Sequence, residues 1–331
     1  MNHRFLVCIA AVASVALMPL GAQNTKAAKS LPMGVDGHID LTGIWTNATI
    51  TPMERPSYLK DKPTLTDEEA KKYEQAAADD LKAEDGASDG PIIRAAGSSG
   101  TGGYNALFID RGSEFERLDG VKRSSLIVDP PDGRVPPLTD AAKQRNQGMY
   151  RRMMRNGDDV NDHPLSERCI IGFGSTAGPP MLPVLYNNNY QIVQTKDYVM
   201  IEVEMVHDIR IVRINGTHPP SNVRELLGDS IGHWEGNTLV VDTTNFTDQE
   251  PFHGSTVDLH VIERFERIDA NTILYKATID DPTTFTKPWT LEYPFRATPG
   301  PIYEYACHEG NYAMDDILGG VRKAEDSKDR K

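Results

Sequence analysis

Three features of the sequence predict a mainly β protein, an antiparallel β-barrel with an N-terminal wrap of loops and helices. Beyond Cys169, helical periodicity gives way to short apolar and β-branched runs divided by turn residues. The connections between those runs are too short for the crossover that a parallel pair needs, so neighbouring strands are expected to be antiparallel. Eight or so strands must also close or stack to hide their edges, and full closure favours a barrel over a sandwich.

Composition narrows the remaining possibilities. The chain has 331 residues, 25% charged and 39% hydrophobic, with 27 Gly, 22 Pro and a formal charge of −13. That length accommodates one large or two ordinary domains, and the Gly and Pro content suits long loops better than a coiled coil. An acidic chain whose basic runs are no longer than pairs such as Arg151-Arg152 excludes a nucleic-acid binder, which needs a concentrated Lys/Arg face.

Residues 1–22 read as a signal peptide: Arg4, an apolar stretch from Phe5 to Met18, then Gly21-Ala22 where a peptidase would cut. A retained anchor, the alternative, would need a longer apolar run, and no later segment is apolar enough to span a bilayer. The expected location is therefore periplasmic or secreted, with no membrane span after cleavage. Cys8 leaves with the signal, and Cys169 and Cys307 remain as the thiols of an oxidising compartment. They predict one disulfide, worth roughly 4–5 kcal/mol on the chain-entropy picture, with two separate buried thiols as the alternative.

The elements follow in order. Residues 23–37 read as a flexible leader and residues 38–165 as a first strand, Asp40 to Thr46, followed by the wrap. Thr66 caps a helix to about Lys82, with Glu69 completing a capping box. The stretch from Glu84 to Gly103, rich in Gly, Ser, Ala and Asp, is expected to be a mobile loop, and Thr139 caps a second helix. Residues 166–318 form the barrel, with one long strand over Tyr198 to Arg213, further strands at Leu259 to Arg267, Thr272 to Ile279 and Thr290 to Phe295, and a last one at Ile302 to Cys307. Residues 319–331 read as a disordered tail.

Several segments together resemble a family of uncharacterised secreted bacterial proteins. They are Asp40-Leu-Thr-Gly-Ile-Trp-Thr-Asn47, Gly178-Pro-Pro-Met-Leu-Pro183, Tyr186-Asn-Asn-Asn-Tyr-Gln-Ile-Val-Gln-Thr195, Val203-Glu-Met-Val-His-Asp208, Trp234-Glu-Gly-Asn-Thr-Leu-Val-Val-Asp-Thr-Thr-Asn-Phe246 and Glu304-Tyr-Ala-Cys-His-Glu-Gly-Asn-Tyr312. The resemblance spans roughly residues 38–318; it implies export and a lineage and brings no mechanism with it. The Gly-x-Trp of the first strand, followed by a meander, also resembles lipocalin-like barrels.

Chemistry is then read from strand alternation. On the expected long strand, His207 shares a face with Val203, Met205 and Ile209; His260 alternates with Ile262 and Arg264, and His308 with Glu304 and Ala306. If His207, His260 and His308 project into one cavity, they can work as acid and base near neutral pH. His260 is then the expected base, His207 or His308 the acid, Arg264 the group that stabilises developing negative charge, and Glu304 or Glu263 an orienting carboxylate. A lone strand histidine equally serves as a hydrogen-bonded packing residue. A divalent metal on the three imidazoles is the less favoured variant, because no compact pairing such as His-x-Glu-x-x-His occurs.

For the ligand, Asn188 and Tyr190 in the amide-rich loop, with Trp289, Tyr305 and Glu304, are expected to contact a small-molecule or oligosaccharide-like compound. Nucleophile elbows, phosphate loops and zincin helices are absent from the sequence. These features point to an exported enzyme, a lyase, isomerase or hydrolase, acting by His-centred acid/base chemistry. Its rival is a non-catalytic, lipocalin-like small-molecule-binding protein of the periplasm, and a third reading makes the acidic helix a docking surface of an envelope module.

Overall fold

The computed structural model describes residues 31–86, 109–153, 159–173, 176–249 and 252–328. The signal peptide, leader residues 23–30 and most of the loop expected at 84–103 lie outside the described residues. In chain order the strands are β1 (Gly43–Thr46), β2 (Thr64–Leu65), β3 (Arg117–Leu118), β4 (Val121–Arg123), β5 (Ile127–Asp129), β6 (Asn189–Gln194) and β7 (Tyr198–Val203). They continue with β8 (Ile209–Ile214), β9 (Asp229–Glu235), β10 (Thr238–Thr244), β11 (His260–Asp269), β12 (Thr272–Asp280) and β13 (Trp289–Ala297). Three helices accompany them, α1 (Asp67–Gly86), α2 (Asp140–Met153) and α3 (Ala313–Lys328).

The fold is mainly β, and β1 with β6 to β13 forms a closed nine-strand barrel. Closure is made by β1, whose Trp45 lies opposite Tyr190 of β6 on one side and Ala297 of β13 on the other. An odd ring cannot alternate direction throughout, so at least one neighbouring pair must be parallel. That pair is β8–β9, joined only at Arg213↔Ile231 and Ile214↔Gly232. The expectation of a wholly antiparallel barrel is corrected there: residues 215–228 make the crossover without a helix. β5 extends the sheet from the edge of β13, and β2, β4 and β3 make a small separate sheet in the wrap.

The wrap begins as its sequence dictates. Thr66 Oγ1 accepts from the Glu69 N–H at 3.2 Å while Glu69 returns a carboxylate to the Thr66 N–H at 3.1 Å, closing the capping box of α1. Thr139 Oγ1 accepts from the Ala142 N–H at the start of α2. Residues 31–37, expected to be part of a flexible leader, fold back on the barrel: Gln194 donates to Asp36 at 2.7 Å and accepts from the Leu41 N–H at 2.8 Å. The expected tail is helical as far as Lys328, α3 being started by Asn311, which accepts from the Ala313 N–H. Among the described residues no helix is long and apolar enough to cross a membrane.

Two expected strands are corrected: one is divided and one is not a strand. The Tyr198 to Arg213 run breaks into β7 and β8 around residues 204–208, where Val206 and His207 take φ of 60° and 55°. Glu204 anchors the reversal by accepting from Asn189 at 2.8 Å and from the Tyr303 N–H at 2.9 Å. The Ile302 to Cys307 segment has no strand partner; it is tied down by the Cys169–Cys307 disulfide, Cα–Cα 5.7 Å, across 138 residues of chain.

Alternation on each strand sends the larger apolar side chains inward. Trp45, Tyr190, Phe265, Tyr275, Tyr293 and Phe295 are fully buried and interlock, with ring centroids 5.2 Å apart for Tyr190–Phe295 and Phe265–Tyr275. Each such side chain contributes roughly 1.5–3 kcal/mol by leaving water, and together they fill the barrel. One end is stoppered by residues 176–184: the Met181 carbonyl accepts from Tyr293 and Asn47, its N–H donates to Tyr275, and Tyr190 donates to the Thr176 carbonyl at 2.7 Å. Unlike an open calyx, this barrel has an aromatic core and a backbone plug.

Candidate functional site

The interior carries one charged constellation. Arg210 of β8 donates both Nη atoms to Glu263 of β11 at 2.7 and 2.9 Å, and Tyr275 donates to the same carboxylate at 2.8 Å. All three are buried. Burial works against the Arg210 charge, but the Glu263 carboxylate outweighs it and holds the guanidinium pKa up. Burial pushes the phenols of Tyr190, Tyr275 and Tyr293 upward, so these rings stay neutral donors. The group is a buried core network that links two strands to the plug; both Arg210 Nη atoms are paired, while its Nε is buried without a partner among the described residues.

The three expected imidazoles do not meet. His207 lies in the β7–β8 turn, its Nε2 3.0 Å from the Tyr303 carbonyl to which it donates. His308 is exposed in a turn beside Cys307. His260 begins β11 on the outer wall, with Nε2 3.0 Å from Asp242 Oδ1. The face chosen from the sequence is the outward one: Val261, Glu263 and Phe265 point in, and His260, Ile262 and Arg264 point out. Apolar burial sets the register, so the face carrying Phe265 wins over the one carrying His260. Arg264 therefore pairs at the surface with Glu235, 2.6 Å away.

The expected ligand contacts are dispersed as well. Asn188 is buried and spends its amide on Val184 and Asp110, bracing the loop before β6. Tyr190 is inside the barrel, and Trp289 is buried behind Phe252 and His253. Tyr305 packs partly buried against the core and Glu304 is exposed. Neither the catalytic trio nor this ligand set forms one site.

A different constellation does. The plugged end is where β7 ends, β8 and β11 begin and β10 finishes, and the long connections gather there. A pocket of about 390 Å³ opens between them, floored by Gly178 and Pro179 of the plug. Phe173, Leu182, Leu226, Leu227, Phe246 and Phe252 make it largely apolar, and Asp208, His253, Thr247 and Gln249 supply its polar edge.

Each polar group is positioned by identifiable contacts. Asp208 closes the β7–β8 turn and accepts the Gly172 N–H on Oδ2 at 2.8 Å; burial nonetheless pushes its carboxyl pKa up. His253 stands at the rim in the left-handed region, φ 49°, in a one-turn 3-10 helix from Phe252 to Gly254. The residue is exposed, yet its ring sits 4.5 Å from that of Phe252 and 6.3 Å from Trp289, and the desolvation these rings impose pushes the imidazole pKa down against the opposing charge of Glu54. Such a backbone outlier in a non-glycine residue costs of order 1–3 kcal/mol and persists only where its surroundings impose it. Asp281 secures the neighbouring loop, accepting from the Thr256 N–H at 2.6 Å and from Thr284 Oγ1 at 2.9 Å.

Sequence reasoning missed His253 because it lies off any strand, between segments with turn composition. The Phe252-His253-Gly254 triplet, where a glycine follows a histidine outside regular structure, was the available signal. Among the described residues no cluster of His, Cys, Asp or Glu has the geometry of a metal centre. No protein-family profile matches the chain, and neither a curated protein nor a solved structure is significantly similar to it.

Proposed function

We propose that this is an exported β-barrel protein that binds a small, largely apolar organic molecule in the mouth pocket, with Asp208 and His253 as its polar contacts. The observation that carries the proposal is a single, largely apolar recess whose lining includes both a half-buried carboxyl, Asp208, with its pKa raised, and the imidazole of His253, with its pKa lowered. The packed interior argues against a ligand inside the barrel, and the apolar lining favours a hydrocarbon or aromatic body over an oligosaccharide. Export is supported by the basic and apolar N-terminus and is compatible with the disulfide.

The same pair of shifts favours a second reading, acid/base catalysis with His253, neutral at physiological pH, as the base. Binding is tested with a fluorescent naphthalene probe on the mature, oxidised protein. Leu226→Arg is expected to weaken binding about tenfold or more, the effect of losing about 1.4 kcal/mol, with unchanged circular dichroism. Probe affinity unaffected by Leu226→Arg would overturn the assignment of the pocket. For catalysis, His253→Ala is expected to abolish turnover of any substrate found while leaving the melting temperature nearly intact and weakening probe binding far less than Leu226→Arg does.

A further inference from the structure

On the outer wall, far along the chain from the plug, five side chains form one continuous line. Arg213 of β8 grips Asp229 of β9 in a bidentate pair, at 2.7 and 2.9 Å. Asp229 Oδ2 lies 2.6 Å from Nδ1 of His218, and Nε2 of His218 lies 3.3 Å from Asp242 Oδ1 of β10. The same Asp242 oxygen is 3.0 Å from Nε2 of His260 on β11. His218 belongs to none of these strands; it sits in the 215–228 crossover that joins the parallel pair β8–β9.

The decisive feature is that both ring nitrogens of His218 face carboxylate oxygens. A neutral imidazole has one donor and one acceptor nitrogen, so it can satisfy one of these contacts only and must set a lone pair against an oxygen in the other. An imidazolium donates to both. We infer that His218 is a pH-dependent clasp: protonated, it fastens the first half of the crossover to the barrel wall through Asp229 and Asp242, and on losing its proton to solvent it releases one of them.

The groups around the clasp agree with this direction. Facing it are Arg213 from β8, Asp229 from β9, Asp242 from β10, His260 from β11 with Asp280 of β12 beside it, and Glu225 from the crossover itself. Burial raises the Asp229 carboxyl, but the hydrogen bonds from Arg213 and His218 outweigh it and the net shift is downward. Asp242 is held low chiefly by the hydrogen bond from His260. Both carboxylates thus stay ionised across the range in which an imidazolium titrates. The hydrogen bond to Asp242 raises the His260 pKa, but His260 has this one carboxylate partner among the described residues and can donate to it from Nε2 in either protonation state, so the second proton on His218 decides the state of the clasp.

The rest of the crossover has its own fastenings. Arg224 donates to the carbonyls of Phe246 and Val257, and the Glu225 N–H to that of Asn245. Within the first half, Arg213 also donates to the Thr217 carbonyl at 3.0 Å and Asn245 to the Pro219 carbonyl at 3.1 Å, so release loosens residues 215–223 without detaching them, next to the Leu226 and Leu227 wall of the mouth pocket. The clasp depends on its own geometry and stands whether or not that pocket takes a ligand.

Hydrogen exchange resolved by peptide, from about pH 5.5 to 8 and corrected for intrinsic rates, tests the clasp on the mature oxidised protein. Protection of residues 215–223 is expected to fall about tenfold as pH rises, the scale of one charge-assisted hydrogen bond, while β11 and β12 stay constant. His218→Gln is expected to hold the low value at every pH. Asp242→Asn offers a donor or an acceptor as required and so accommodates the neutral ring, and its loop is expected to stay protected at pH 8. Wild-type protection that does not change with pH, or an equal fall in His218→Gln, would overturn the inference.

Discussion

At the scale of single residues, the barrel interior places one ion pair where everything around it is apolar or aromatic. Glu263 can be there because Arg210 and Tyr275 occupy both its oxygens. Removing one partner leaves the other charge buried, which costs about 3–5 kcal/mol, whereas replacing both together with apolar residues of similar size is far milder. Arg210→Met is thus expected to lower the urea-unfolding free energy by that amount, and Arg210→Met with Glu263→Leu to recover much of it. Glu116 offers the opposite case. Burial pushes its carboxyl up to about 7, with Arg296, 3.9 Å away, only partly opposing it. A folded value above the unfolded one means that the folded chain holds the proton more tightly, so stability present at about pH 4 is lost as pH rises through 7. Glu116→Gln is expected to flatten that decline and to be more stable than the wild type at pH 8, as thermal melts at pH 5 and pH 8 would register. The sequence allowed Glu263 to pair with Arg264 or Arg210, but at the surface; the structure places the Arg210 pair inside, because Val261 and Phe265 carry Glu263 inward with them.

At the scale of elements, what the sequence disclosed were the features governed by local rules. The capping box at Thr66, the turn at Asp269 to Asn271, where Asp269 Oδ1 accepts from the Asn271 N–H, and the hairpins from β9 to β13 depend on a few adjacent residues. The β7–β8 turn was hidden because Glu204-Met-Val-His-Asp208 contains neither Gly nor Pro; tertiary contacts from Asn189 and Tyr303 impose its left-handed residues. The plug was hidden although Gly178, Pro179 and Pro180 mark a turn there, because its position is set by three tyrosines and Asn47 from four separate strand regions. The disulfide was readable from compartment and count, and it now explains the position of the strandless segment before α3. Reduction of Cys169–Cys307 is expected to lower stability by up to about 4–5 kcal/mol. The loss should be concentrated in residues 298–312 and the β7–β8 turn, and urea titration with and without reductant, paired with hydrogen exchange, would measure it.

At the scale of the whole molecule, nine strands and one short parallel join give a barrel that is closed, plugged and filled. Its long connections collect at the plugged end, and there the chain builds an apolar recess with Asp208 and His253 at its edge. Summing periodicity along the sequence predicted the barrel but placed the chemistry inside it, because alternation fixes which residues share a face and not whether that face encloses free volume. The most direct test is NMR chemical-shift mapping of the isotopically labelled mature protein with a panel of small aromatic fragments. Shifts are expected to cluster at residues 171–173, 226–227, 246–249 and 252–256 and to weaken in Leu226→Arg. Shifts centred instead on inward residues such as Ile201 and Tyr275, or no binding by any fragment, would contradict the account.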